Sequence, residues 1–360
     1  MDKALITKIE LHKLSVPLKE PFIISLGPIY SADNVVVVVH TAMGIAGWGE
    51  CSPFMSINGE SADTALVVAK YFEKIWIGKD ALQIEDRVNE LDNIIYGNNS
   101  VKSAFDMALY DIAAQVAGLP LYQYLGGSKA KTIATDYTVS VGDATKMAAD
   151  ALKIKQAGFP VIKVKIGKGG ANDVERIRAI REAVGYDIPL RVDANQGWGF
   201  EEAITTLKAL APFNIQHCEE PLPRWAFMQL PEIRKQSPVR IMSDETCCDH
   251  NDVQRLIDLK ACDLINIKLG KSGGIFKALK MIRLAEVHDI KIQIGAFLES
   301  RIAMTAFAHL ALASDQIIYF DFDTALMFSE DPVEGGMIYK KNGVIEVPEV
   351  PGIGARLKKN

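Results

Sequence analysis

IKVKIGKGGANDVERIRAIREAVGYDIPLRVDAN, residues 162 to 195, contains one complete strand, helix and strand. The apolar runs IKVKIG and LRVDAN have the length of buried strands, and NDVERIRAIREAVG between them has helical periodicity and ends in glycine. The first run carries Lys165 near its end and the second carries Asp193, 28 residues later. The same unit recurs outward along the chain. IQHCEEP (215 to 221), VRIMSDE (239 to 245) and LINIKLG (264 to 270) bring Glu219, Asp244 and Lys268 at further intervals of 26, 25 and 24 residues. That spacing is about one βα unit of a barrel, so the five charged groups form one ring at its mouth. A charge that closes a buried strand is costly unless it is used.

Eight strands are expected, near 134 to 140, 161 to 166, 189 to 193, 215 to 219, 239 to 243, 263 to 268, 290 to 295 and 317 to 321. Seven amphipathic segments separate them. Ahead of this alternation lie three β-like runs, LITKIELHKLSVPL, NVVVVVHTAMG and GIAGWGECSP, and then helical segments including SVKSAFDMALYDIAAQVAG, which together suggest a meander backed by helices. The fold class is therefore α/β: a modified TIM barrel, (β/α)7β, with an α+β capping domain. The divisions are expected at 1–128 for the cap, 129–322 for the barrel and 323–360 for a C-terminal segment that returns to the cap, with a hairpin around Asn342-Gly343.

Composition narrows the classes of function. The chain has 360 residues, 49% hydrophobic and 24% charged, with a formal net charge of -5 and no lysine or arginine tract. This balance suits a small-molecule enzyme and argues against nucleic acid or an anionic membrane as partner. The N-terminal MDKALITKIELHKL interleaves charge with apolar residues, unlike a signal peptide, and no stretch is long enough to span a bilayer, so a cytoplasmic location is expected. Five cysteines without metal-type spacing point to reduced thiols rather than zinc or a disulfide framework.

Elements four apart in an eight-stranded barrel face each other across its mouth. Lys165 on strand two and Lys268 on strand six should therefore reach a bound substrate from opposite faces. Asp193, Glu219 and Asp244 fall on the arc between them. Three adjacent carboxylates repel unless a hard cation sits among them, and an all-oxygen donor set favours one Mg²⁺. The assembled site suits removal of a proton next to a carboxylate, with the cation stabilising an enediolate and a lysine on each side permitting inversion. Lys163 shares a face with Lys165; its charge should lower the Lys165 pKa, and it could also bind a substrate carboxylate. Taken alone, either aspartate would pass for a helix cap; the ordered set of five is what points to catalysis.

At this point the chain resembles the enolase superfamily, in particular its muconate lactonizing enzyme subgroup. The signature pieces are KVK at 163 to 165, DAN at 193 to 195, EEP at 219 to 221, SDE at 243 to 245 and IKLGKSGG at 267 to 274. The resemblance covers cap and barrel alike. It implies that Lys165 and Lys268 are the acid/base pair, that Asp193, Glu219 and Asp244 bind Mg²⁺, and that Asn195 and Glu245 support them. A histidine base at strand seven, which the mandelate racemase branch needs, is replaced here by IQIGAF. Symmetric homo-oligomers are common in such barrels, so a homo-oligomer is expected by analogy.

Strand eight ends IIYFDFD, and alternation would aim Asp321 and Asp323 together into the mouth. This pair resembles the feature by which dipeptide epimerases, including the L-Ala-D/L-Glu type, hold an α-ammonium group. GAFLES, with Phe297 and Glu299, is similar to their strand-seven terminus. The segments 20 to 31 (EPFIISLGPIYS) and 52 to 61 (SPFMSINGES) are expected to close the pocket. Phe22, Ile23, Ile24 and Leu26 are apolar and no arginine stands among them, although Lys19 is nearby. These features imply a dipeptide substrate of Ala-Xaa type with a hydrophobic C-terminal residue, epimerised at that residue. N-acylamino acid racemase, o-succinylbenzoate synthase and muconate cycloisomerase use related architecture on substrates without the free ammonium group. A non-catalytic, metal-dependent binding barrel would not need both lysines.

Overall fold

The computed structural model describes residues 4–359; the first three residues of the N-terminal run lie outside them. An antiparallel sheet begins the chain, with strands Ile6–Ile24, Gly27–Thr41 and Ala46–Cys51 in sequence order. The valine run explains its central strand. Val35, Val37 and Val39 enter the core beneath the cap helices, while Val36 enters the core shared with the barrel, so both faces are apolar. Gly47 and Gly49 lie directly against the backbone of Ala108 and Ala104 in the helix Asn99–Val116; a Cβ at either would clash with a carbonyl oxygen. Ser61 begins the helix Ala62–Trp76 with a capping box shared with Thr64.

The second unit is a parallel sheet of eight strands: Tyr137–Val139, Ile162–Lys165, Leu190–Asp193, Ile215–Glu219, Ile241–Ser243, Leu264–Ile267, Lys291–Ile294 and Ile317–Phe320. They pair in strict sequence order. At the seam between the first and eighth, the Asp136 N–H donates to the Phe320 carbonyl at 3.3 Å and the Phe322 N–H donates to Thr135 Oγ1 at 2.8 Å. The barrel strands fall where the alternation of apolar runs and amphipathic segments put them. The hairpin at Asn342-Gly343 is present, between strands Ile338–Tyr339 and Val344–Glu346.

Polar links join cap to barrel. Asp106 accepts from the Ile275 and Phe276 N–H groups, capping the barrel helix Ile275–Val287 from across the interface. His309 Nδ1 accepts from the Tyr122 N–H at 3.2 Å, and its Nε2 lies 3.3 Å from the Ile353 carbonyl, so one buried ring ties the cap helices to the C-terminal segment. No disulfide forms among the described residues, and none of their helices is long and apolar enough to cross a membrane.

The segment 20 to 31 is the end of a long hairpin, turning at Ser25-Leu26 between Ile24 and Gly27. Its apolar residues pair as strand. The tip docks on the barrel rim, where the Val141 N–H donates to the Ile23 carbonyl at 2.9 Å and Ser25 Oγ donates to the Asn195 carbonyl at 2.7 Å.

Candidate active site

Register places the charged ring. Parallel pairing sets Lys165 beside Asp193 and Asp193 beside Glu219, at the ends of strands two, three and four. All these side chains are buried. Lys165 Nζ donates to Asp193 Oδ2 at 2.6 Å, and Lys268 Nζ donates to Asp244 Oδ2 at 2.7 Å. The lysines thus sit on strands separated by three others, each bonded to a different carboxylate. An aromatic ring lies beside each: Phe22 with its centroid 5.8 Å from Lys165 Nζ, and Phe297 at 4.9 Å from Lys268 Nζ. Phe54 of the cap stacks on Phe297 at 5.6 Å.

Lys163 shares a face with Lys165, as alternation put it, and both ammonium groups meet Asp193 Oδ2. Lys163 Nζ lies 2.7 Å from Asp321 Oδ2, 2.8 Å from Glu219 Oε2 and 3.2 Å from Asp193 Oδ2. Three carboxylates compensate its charge. Buried and so engaged, Lys163 ties three acids of the site together. Burial pulls its pKa down, but Asp321, Glu219 and Asp193 hold it well above the lysine range. Burial likewise opposes ionisation of Asp193, yet Lys165 and Lys163 bring its carboxyl down to about 2.

Asp321 and Asp323 do not share a strand face, because the strand stops at Phe320. Asp321 turns to Lys163. Asp323 Oδ2 accepts from the Thr138 N–H at 2.7 Å across the barrel seam, which leaves the buried Asp323 Oδ1 without a partner. Burial and the neighbouring Asp321 charge push the Asp323 pKa up to about 7. Glu299 Oε2 accepts from the Phe297 N–H at 2.7 Å and so braces its own loop. Ile24 is buried in the hairpin end. Lys19, exposed, donates from Nζ to the Leu326 carbonyl at 2.8 Å.

Several supporting groups escaped the sequence analysis. Asn266 Nδ2 donates to Glu219 Oε1 at 2.7 Å, and Gln293 Nε2 to Glu219 Oε2 at 3.2 Å. Both lie on inward strand positions, Asn266 two residues before Lys268, so alternation could have found them. Lys271 Nζ donates to the Asp244 carboxylate and to the Asn266 carbonyl, the latter at 3.0 Å. Glu220 Oε2 accepts from the Asp244 N–H at 2.7 Å, and its other oxygen accepts from Thr246 Oγ1. Glu220 and Lys271 both lie within quoted motifs, EEP and IKLGKSGG, so membership of those motifs was the available signal.

The donor set can be tested for a divalent cation. No three His, Cys, Asp or Glu side chains among the described residues are drawn to metal-ligand spacing; the lysine ammonium groups stand between the carboxylates. The chemistry nevertheless fits. The donors are all oxygen on three successive strands, and they border two buried oxygens without partners, Glu245 Oε2 and Asn195 Oδ1. Asn195 Nδ2 donates to Glu245 Oε1 at 3.3 Å, placing both beside the triad. Burial and the crowding of Asp244, Glu220 and Asp193 hold Glu245 well above the carboxylate range, a repulsion that a hard cation relieves.

Residues 146–360 match the enolase C-terminal domain-like family, and residues 6–126 match the N-terminal domain of mandelate racemase / muconate lactonizing enzyme. The chain belongs to the mandelate racemase/muconate lactonizing enzyme family of the enolase superfamily. Within this family it is 56% identical over 99% of its length to a D-Ala-D/L-Ala epimerase of Cytophaga hutchinsonii, 97% of which is covered. A crystal structure of the dipeptide epimerase from that organism, complexed with Mg and D-Ala-L-Val, superposes with a TM-score of 0.98, covering 99% of this chain and 97% of that one. A family member from Enterococcus faecalis, a hydrophobic dipeptide epimerase, is 38% identical over 97% of this chain and 99% of its own. The Bacillus subtilis L-Ala-D/L-Glu epimerase is 37% identical, over 97% of this chain and 96% of its own.

Proposed function

We infer that the protein is a Mg²⁺-dependent dipeptide epimerase, an isomerase that inverts the α-carbon of the C-terminal residue of an Ala-Xaa dipeptide in which Xaa is apolar. The observation that carries this reading is the pair of buried lysines, Lys165 and Lys268, at the ends of barrel strands two and six, each held by its own carboxylate. Asp193, Glu219 and Asp244 would hold the metal, which when bound would supply positive charge to the substrate carboxylate. One lysine removes that proton from one face and the other delivers a proton to the opposite face, so the configuration inverts. Asp323, with its free Oδ1, and Asp321 receive the substrate ammonium. Phe22 and Phe297 exclude water from the two ammonium groups and present apolar walls to the side chain of Xaa.

Apolar specificity is supported by the hairpin end, where Phe22, Ile23 and Ile24 present no cation. The relatives divide in the same way, the most similar of the three described acting on Ala-Ala and another on hydrophobic dipeptides. A panel of L-Ala-L-Ala, D-Ala-L-Ala, L-Ala-L-Val, L-Ala-L-Leu and L-Ala-L-Glu tests this, with turnover followed by loss of the C-terminal α-proton signal in D₂O. Turnover of the apolar members well above L-Ala-L-Glu is expected; preference for L-Ala-L-Glu would overturn the apolar assignment.

A further inference from the structure

Two cap segments close over the barrel mouth, and both are fastened to one turn. The hairpin end is held by the bond from Ser25 Oγ to the Asn195 carbonyl, at 2.7 Å. The second segment contains the short helix Met55–Asn58, whose Ile57 carbonyl accepts from Arg224 Nη1 at 2.5 Å. The Arg224 N–H in turn donates to Gln196 Oε1 at 3.0 Å. Asn195 and Gln196 are consecutive residues in the turn that follows Asp193.

That turn has an unusual backbone. Asn195 and Gln196 have φ of 40° and 67°, and Glu220, whose carbonyl accepts from the Gln196 N–H at 2.8 Å, has φ of 37°. None is glycine, so three side chains occupy a left-handed region that ordinary residues seldom visit. The conformation brings three things together: the Asn195 N–H caps Asp193 Oδ1 at 2.9 Å, the Asn195 carbonyl holds the hairpin, and the Gln196 amide oxygen holds the backbone of Arg224. Beyond Arg224 the chain of contacts continues to the chemistry. The segment it fastens carries Phe54, which stacks on Phe297, which lies against Lys268 Nζ.

We propose that Gln196 and Arg224 are positioning residues that form a latch, fixing the cap segment 54–58 so that Phe54 and Phe297 complete the wall beside Lys268. Neither touches substrate. The latch sets how much of the protein is in the closed, substrate-binding form, so its loss appears in KM before it appears in kcat. The kinetic half of this proposal rests on the dipeptide epimerase reading; its structural half does not.

The variants are Arg224→Ala, Gln196→Gly and Arg224→Lys. Arg224 is exposed, and glycine suits a positive φ, so the first two remove the latch without removing a core contact. Kinetics on L-Ala-L-Ala should show KM raised about tenfold in the first two, with kcat within about threefold of the parent and Arg224→Lys largely restored. Amide hydrogen exchange should accelerate about tenfold at Ile57, Asn58 and Gly59, whose N–H groups bond within the segment, and remain at parent rates in the barrel strands. Parent-like KM together with parent-like protection of these amides would overturn the latch, as would a kcat loss with KM unchanged. A parent protein that exchanges no dipeptide would sink the epimerase reading, while the amide measurement would still decide the latch.

Discussion

The barrel mouth and the cap that closes over it are built from opposite materials. At the mouth, buried charges at and just beyond the strand ends hold one another: Lys163, Lys165 and Lys268 with Asp193, Glu219, Asp244 and Asp321. In the cap, apolar rings and single bonds to backbone carbonyls do the closing, through Phe22, Phe54, Ser25 and Ile57. The difference separates two tasks. Proton transfer needs groups fixed to a fraction of an ångström, which strands supply; choice of side chain needs a surface that can vary without disturbing them.

Breaking the barrel side should have the largest effect. Chelation by EDTA, or Glu219→Gln, should lower α-proton exchange by about a thousandfold or more, since the charge that stabilises the developing anion is lost. Exchange that persists in EDTA-treated protein, checked by metal analysis, would remove the metal from the chemistry.

The link between cap and C-terminal segment sharpens the comparison through pH. Burial holds the His309 ring neutral and brings its pKa down to about 4, and only an unprotonated Nδ1 accepts from Tyr122. A histidine with a depressed folded pKa contributes stability above its unfolded value, near 6.5, and that contribution is lost as pH falls towards 4, up to about 3 kcal/mol in all. Denaturant unfolding at pH 7.5 and 4.5 should therefore narrow the gap between the parent and His309→Gln. A gap independent of pH would contradict the neutral ring.

A smaller effect is expected where cap grips barrel. Asp106→Ala leaves the Ile275 and Phe276 N–H groups unpartnered and should cost about 1–2 kcal/mol in unfolding free energy, with exchange kinetics little changed. On the cap side, Phe22→Ala should alter relative rates among L-Ala-L-Ala, L-Ala-L-Val and L-Ala-L-Leu by about tenfold while exchange persists, the scale of one or two methylene contacts. Uniform loss on all three substrates would make Phe22 part of the chemistry instead.

The same contrast explains what could be read in the sequence. The barrel strands and the five charged groups were legible because each follows from a local run and a fixed interval, and Lys163 from alternation. Its three carboxylate partners were not, since Asp321 meets it only across the barrel seam. Alternation failed at Asp321 and Asp323 because the chain leaves strand geometry one residue earlier. The hairpin end hid in an apolar, proline-flanked stretch whose two-residue turn lacks the Asn-Gly type of signal. The Gln196–Arg224 contact depends on left-handed backbone at Gln196 and Glu220, whose types do not announce it.

The central claim is that two bases serve opposite faces of one carbon, and single-lysine variants test it most directly. Each epimer of an Ala-Xaa dipeptide would be incubated in D₂O with Lys165→Ala and with Lys268→Ala, following α-proton loss by ¹H NMR. The expected result is complementary: neither variant forms the other epimer, and each retains exchange on only one epimer, a different one for each variant. Retention of exchange on the same epimer by both variants, or inversion by either, would contradict the two-lysine mechanism.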